Sequence, residues 1–216
     1  MELLYSNDSY KLNLYRRDTT IITTSDEDVL YLLNDLRTKD YNYISIYTPF
    51  STDTVLKELS LYNESESLLN LLGAQNLVTK DIKDLSISEI AVVKIVIELS
   101  KNNDLVIFYD MLTYLSKEQK KDIIAYIKNK NITFINITSN EEEYLINDYM
   151  IVINAKQVAL EGDTKLVLEQ EKILKRLGFS LPFSVDISLQ LKAYGLINNI
   201  YTDYKDLVGV LWKNKD

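Results

Sequence analysis

The chain has 216 residues, 46% of them apolar, which is enough for one domain with a sizeable core and a small appendage. Thirty-two acids against 24 bases leave a net charge of −8, which argues against a nucleic-acid partner. With neither cysteine nor histidine present, disulfides, zinc–thiolate sites, thiol nucleophiles, imidazole bases and imidazole metal ligands are excluded.

The opening MELLYSNDSY lacks a basic stretch followed by an apolar one, so no secretory leader is expected there. Thr20–Ile22 predicts the first clear strand, and Asp26–Leu36 the first helix. Between them lies the turn Thr23-Thr24-Ser25-Asp26-Glu27-Asp28. Ser25 is placed to cap the helix, Asp28 to close a capping box, and Asp26, Glu27 and Asp28 to offset the helix dipole. A strand is predicted over Tyr43–Tyr47, then a turn at Pro49 and a helix from about Asp53 that includes Leu56 and Leu59. Ser86 should cap a helix over Ser88–Ser100, followed by a strand at Leu105–Tyr109, a helix at Lys117–Lys128 and a strand at Thr133–Ile137.

The acidic run Glu141–Glu143 reads as a solvated first helical turn. A hairpin is predicted from Met150–Asn154 and Val158–Glu161, turning at Ala155-Lys156. From Gly162 to Asp216 the pattern is helical, and Phe183, Ile187, Leu191 and Tyr194 fall on one apolar stripe. That stripe either packs on its own core or forms a small dimerisation appendage. Strands alternating with helices predict an α/β layered domain with a mainly parallel sheet. The most apolar windows carry Lys94, Glu98 or Asp110 and are too short to span a bilayer, so a soluble, cytoplasmic chain is expected.

Leu85 to Ser116, LSISEIAVVKIVIELSKNNDLVIFYDMLTYLS, resembles without gaps the signature helix, Walker B strand and D-loop of ATP-binding cassette (ABC) ATPases. Leu160–Val167 (LEGDTKLV) is similar to a family EGTPKEV turn, and Leu174–Phe183 (LKRLGFSLPF) to the linker into the C-terminal helices of energy-coupling factor (cobalt- and vitamin-type) transporter ATPases. The resemblance is good from about Tyr43 onward. It implies a P-loop-NTPase-like cassette over residues 1–165 with a reduced antiparallel subdomain, and a helical appendage over 166–216. It also implies dimerisation with itself or with an ABC-type ATPase partner, and docking at the inner face of the membrane on a coupling subunit through Pro49, Leu56 and Leu59.

The residues at the reactive positions of that pattern differ from the family's. A phosphate-binding loop needs glycines so that backbone N–H groups can wrap phosphate, yet the first glycine is Gly73, and the acidic Ser25 turn occupies the loop's place. Tyr47 stands at the Q-loop glutamine. Ser86, Ser88 and Glu89 stand in a signature that lacks its glycines. Tyr109 takes the magnesium-binding Asp position, Asp110 the catalytic Glu position, Ser116 the D-loop Asp and Ser139 the switch His. These differences predict a catalytically inert cassette, not an enzyme, without a nucleotide or metal cofactor, serving as a structural or regulatory partner of an uptake transporter. The alternatives are a residual nucleotide-binding ATPase subunit of that transporter, or a free-standing scaffold. Enrichment in Ile, Asn, Lys and Asp fits an AT-rich bacterial genome.

Overall fold

The computed structural model describes residues 2–63 and 65–213. In chain order the elements are strands β1 (Leu3–Asn7), β2 (Leu12–Tyr15) and β3 (Thr19–Ile22), then helices α1 (Asp26–Thr38), α2 (Val55–Leu59), α3 (Ser65–Leu71) and α4 (Ile87–Leu99). Next come β4 (Leu105–Tyr109), α5 (Lys117–Asn129), β5 (Thr133–Thr138), β6 (Tyr149–Asn154) and β7 (Gln157–Asp163). Helices α6 (Thr164–Leu168), α7 (Glu171–Arg176), α8 (Phe183–Ala193) and α9 (Tyr204–Lys213) complete the described chain. The helical tail predicted to run to Asp216 is thus several short helices, and its last residues, 214–216, lie outside the described ones. Two of its breaks carry glycines in left-handed backbone, Gly178 (φ 90°) after α7 and Gly195 (φ 70°) after α8.

The chain forms two compact units. One gathers the residues through Tyr15, Thr19–Val29 and those from Thr138 onward; the other comprises Arg16–Asp18 and Leu30–Ile137. In the first unit, β3 runs parallel to β6 with Ile21 opposite Ile151, and β6 pairs antiparallel with β7. Ala155 (φ 49°) and Lys156 (φ 59°) make the β6–β7 turn, the paired positive φ that matches the twist of a tight hairpin. Every residue from Met150 to Ile153 is buried, whereas β7 alternates, as an edge strand with one wet face should. Ile22, Met150 and Val152 share a core with Leu168, Leu174 and Val185, so α6, α7 and α8 cover this sheet.

The start of the chain, for which the sequence supplied no assignment, is a hairpin of β1 and β2, the reduced antiparallel element. Its turn is pinned by Tyr10, fully buried, whose N–H donates to Asn7 Oδ1 at 3.1 Å.

In the second unit β4 and β5 pair in parallel from Leu105–Thr133 to Tyr109–Ile137. The rings of Phe108 and Phe134 pack there edge to face, their centroids 5.1 Å apart at 70°. Helix α4 buries residues all round, including Ala91, Val93, Ile95 and Val96, as its nearly continuous apolar sequence requires. The strand predicted at Tyr43–Tyr47 is reduced to one bridge, Ile44 to Phe108. The backbone turns immediately afterwards, with Thr48 N–H on Ser45 O at 3.1 Å and Ser45 N–H on Thr48 Oγ1 at 3.0 Å, so no second rung can form. The α/β layering with mainly parallel pairing and a small antiparallel element is the architecture the alternation of patterns implies.

Candidate functional site

The turn before α1 is built from side chains that serve the helix's own backbone. Ser25 N–H donates to Thr23 Oγ1 at 3.2 Å, and Asp28 N–H to Ser25 Oγ at 3.3 Å, so Ser25 caps α1. The reciprocal half of the predicted capping box is not made. The buried Asp28 carboxylate instead accepts the N–H of Lys156 at 2.9 Å, from the β6–β7 turn. The Lys156 ammonium pairs with Glu27 and holds that carboxyl below the usual range. Asp28 Oδ2 is buried and finds no hydrogen-bond partner among the described residues. Asp26, Glu27 and Asp28 therefore occupy the first turn with a lysine drawn onto them.

In the other unit, Ser86 and Glu89 form a complete capping box at α4. Glu89 Oε2 accepts Ser86 N–H at 2.9 Å, and Glu89 N–H donates to Ser86 Oγ at 3.4 Å. Lys80 donates to Glu89 at 2.6 Å, and together with Ser86 holds its carboxyl down to about 2. Ser88 and Glu89 share a shallow cleft of about 150 Å³ with Val92 and Gln119. Ser116 caps α5 through a second complete box with Gln119. Both serines thus spend their hydroxyls on helix starts.

At the end of β4, Tyr109 N–H donates to Ile44 O at 2.9 Å and Asp110 N–H to Ile137 O at 2.9 Å. Asp110 itself takes left-handed backbone (φ 49°), which ends the strand's pleat at Tyr109. Nearby Tyr114 has its phenol pKa raised by burial, then by Tyr47 and by Asp110, which gathers two phenols and a carboxylate around the β4 end. Tyr47, on the Ser45–Thr48 turn, is 82% exposed. Ser139 is exposed just beyond β5. Among the described residues no group of three or more Asp and Glu could hold a metal ion.

The structure separates the predicted docking residues. Leu56, exposed, and Leu59, almost buried, line one cleft of about 340 Å³ with Tyr62, Leu69 and Val78. Pro49 lines a different cleft of about 220 Å³ with Arg37, Tyr43 and Tyr47, where the Arg37 guanidinium lies 5.5 Å from the Tyr43 ring. On α8, Phe183 is 66% exposed, Ile187 and Leu191 are half-buried, and Tyr194 just past its end is 81% exposed, while Ser184, Val185 and Ser188 face inward. Phe183 and Tyr194 point outward and Ile187 and Leu191 are half-buried, while α8 packs on its own core through Val185 and Leu189. The helix buries small residues because Ser184 Oγ and Ser188 Oγ donate to Thr202 O and Tyr201 O, at 2.7 and 3.2 Å.

Among the described residues, Glu58, Lys94, Glu98 and Glu143 are buried charged groups that sequence reasoning missed, and Glu143, fully buried, corrects the solvated reading of its run. Glu58 accepts the N–H groups of Ser51 and Thr52, and Lys94 is buried in α4. A lone lysine inside the otherwise apolar run Ala91–Ile97 was the available signal.

No family model matches the chain. It is 27% identical over 206 residues to the energy-coupling factor transporter ATP-binding protein EcfA1 of Mycoplasma pneumoniae, covering 88% of this chain and 74% of that one. It is 32% identical over 121 residues to the protein of the same name from Mesomycoplasma hyopneumoniae, covering 54% and 43%. The chain spans about half the length of most of the curated relatives it matches, 55% in Listeria innocua. Among solved structures, cbiO1 from Clostridium perfringens, part of the ABC transporter complex cbiONQ, superposes with a TM-score of 0.61 at 18% identity, covering 84% of this chain and 94% of that one. The homologues of this chain are therefore energy-coupling factor transporter ATP-binding proteins, and its fold is that of an ABC ATPase cassette. These relatives overturn the expectation that the chain is not an enzyme: they are named for ATP binding, and they point to an ATPase. The substituted positions stand as sequence facts.

Proposed function

We propose that this chain is an ABC ATPase subunit of an energy-coupling factor-type uptake transporter, binding nucleotide through an altered set of side chains. The observation that carries the reading is the similarity to the Mycoplasma pneumoniae protein, which runs through 206 residues and 88% of the chain. Residues 1–165 are then the cassette and 166–216 the appendage.

In this reading Lys156 is the cation placed at the α1 turn, able to exchange Glu27 for a phosphate oxygen. Of the other substituted positions, Ser86 with Glu89 and Ser116 serve as helix caps. Titration calorimetry with ATP, with and without magnesium, tests the reading. Micromolar, magnesium-dependent binding that weakens at least about tenfold in Lys156→Ala supports it. Heats indistinguishable from dilution at millimolar ATP would overturn it.

Partner contacts follow from exposed apolar surface. The cleft that holds Leu56 suits an apolar helix of a membrane coupling subunit, and Pro49 belongs to a neighbouring face. Among the described residues no helix is long and apolar enough to cross a membrane, so attachment to one would be peripheral and through that subunit, on the cytoplasmic side. The stripe Phe183, Ile187, Leu191 and Tyr194, with the Phe183 ring 6.2 Å from that of Tyr204, suits a second copy or a related cassette. Light scattering of Phe183→Ser/Tyr194→Ser checks this: a dimer that persists in the double variant removes the tail from the interface.

A further inference from the structure

The run from Ala91 to Ile97 is apolar apart from Lys94, and this side chain is only 5% exposed. Burying an ammonium is costly unless each N–H finds an acceptor and the charge is offset. No carboxylate pairs with it among the described residues. Its partners are backbone: the carbonyl oxygens of Ser45 at 3.2 Å, of Ile46 and of Thr48. An ammonium carries three donors, and three carbonyls are present. The Phe50 ring covers it at 5.0 Å, adding the attraction of its electron-rich face.

Three carbonyl oxygens converging on one point are the kind of donor that replaces hydration waters around a monovalent cation such as potassium. The geometry of the turn presents them together. Thr48 N–H closes on Ser45 O at 3.1 Å, and Tyr47 N–H on Ser45 Oγ at 3.2 Å, so the loop's donors are spent internally and its carbonyls turn toward α4. We propose that the Ser45–Thr48 turn is a carbonyl-lined monovalent-cation site, filled by the chain's own Lys94, which fastens the Tyr47 turn to α4. Burial pushes the Lys94 ammonium down to about 8, so it is charged at neutral pH while the carbonyls favour that form. The inference needs no nucleotide and stands or falls apart from the proposed activity.

The experiment uses the full chain and Lys94→Ala, which empties the cage and leaves room for an ion. Hydrogen exchange is read at the Tyr47 and Thr48 amides at equal ionic strength in tetramethylammonium, potassium or ammonium chloride. In the variant, protection at these amides should fall at least about tenfold in tetramethylammonium and return to within about threefold of the parent in potassium or ammonium. The parent should be indifferent to the cation. Unchanged protection in the variant, a loss that neither potassium nor ammonium relieves, or a parent that itself responds to potassium would each overturn the assignment. A purely packing role predicts the unrelieved loss. Should Lys94→Ala not fold, ¹⁵N spectra of the unaltered chain below neutral pH decide the matter. A slowly exchanging lysine ammonium signal that disappears in Lys94→Met supports the cage, and ammonium protons all exchanging at the solvent-exposed rate reject it.

Discussion

Helices α1 and α4 begin with the same spelling, a serine followed three residues later by an acid, yet the two acids end in different places. At α4 the Glu89 side chain reaches back to the N–H of its own cap, Ser86, at 2.9 Å, and then to Lys80 at 2.6 Å. At α1 the acid is Asp28, one methylene shorter, and the N–H of Ser25 is already taken by Thr23 Oγ1 at 3.2 Å. Asp28 is left to bind the Lys156 N–H of the β6–β7 turn at 2.9 Å. The start of α4 is thus closed on itself, while the start of α1 is stitched to a distant hairpin turn. A carboxylate's reach, and whether its local donor is free, decides between a local cap and a tertiary fastening.

The comparison breaks most decisively at Asp28. Asp28→Ala removes a buried, charged acceptor and leaves the Lys156 N–H without one, a loss of about 1.5–3 kcal/mol in urea unfolding. Asp28→Asn keeps an oxygen that can face Lys156 and should lose less. An alanine variant as stable as the parent would show that the stitch contributes nothing. Next come the caps themselves. Ser25→Ala and Ser86→Ala should each cost about 1 kcal/mol. The loss at Ser86 should fall on exchange in the first turn of α4 and at Lys80, whose ammonium is held by Glu89. Loss of protection at the β6–β7 turn should accompany Ser25→Ala only, since slackening α1 there also disturbs Asp28.

Much of this contrast was legible in advance, and the illegible part has a physical cause. Ser25 and Ser86 were readable as caps, since S-x-x-acid before an apolar run is a local signal. So were β4, where Leu105–Tyr109 matched residue for residue, and the Ala155-Lys156 turn. The partner of Asp28 lies 128 residues away in sequence, and nothing local announces it. The same distance hid the Lys94 cage, whose carbonyls come from residues 46 to 49 positions earlier and have no side-chain identity to read. Tyr43–Tyr47 failed as a strand for the opposite reason: its composition is strand-like, but a Ser–Thr turn closes after one rung. The stripe on α8 was found by periodicity, though periodicity cannot say which face is buried. Ser184 and Ser188 decided that through hydrogen bonds to Thr202 and Tyr201.

The smallest effect is a pH dependence, and its size separates the two helix starts. Glu89 is held by Lys80 first and Ser86 second, which takes its carboxyl from an ordinary 4.5 to about 2 in the folded chain. Between those values the unfolded chain binds the proton and the folded one does not, so stability falls as pH drops through that window. The contribution is complete above 4.5 and gone once the pH passes below 2. Glu27 is lowered in the same direction by Lys156, without the added help of a cap N–H. Other carboxylates titrate in this range too, so the readout is the difference between the parent's acid profile and that of Glu89→Gln, with Glu27→Gln alongside. The Glu89 variant should flatten the profile more than the Glu27 variant does, because a carboxylate held by backbone, hydroxyl and ammonium together loses three partners on protonation. Equal flattening would mean that the ammonium alone sets both, and that the box at α4 adds nothing to what a surface ion pair supplies at α1.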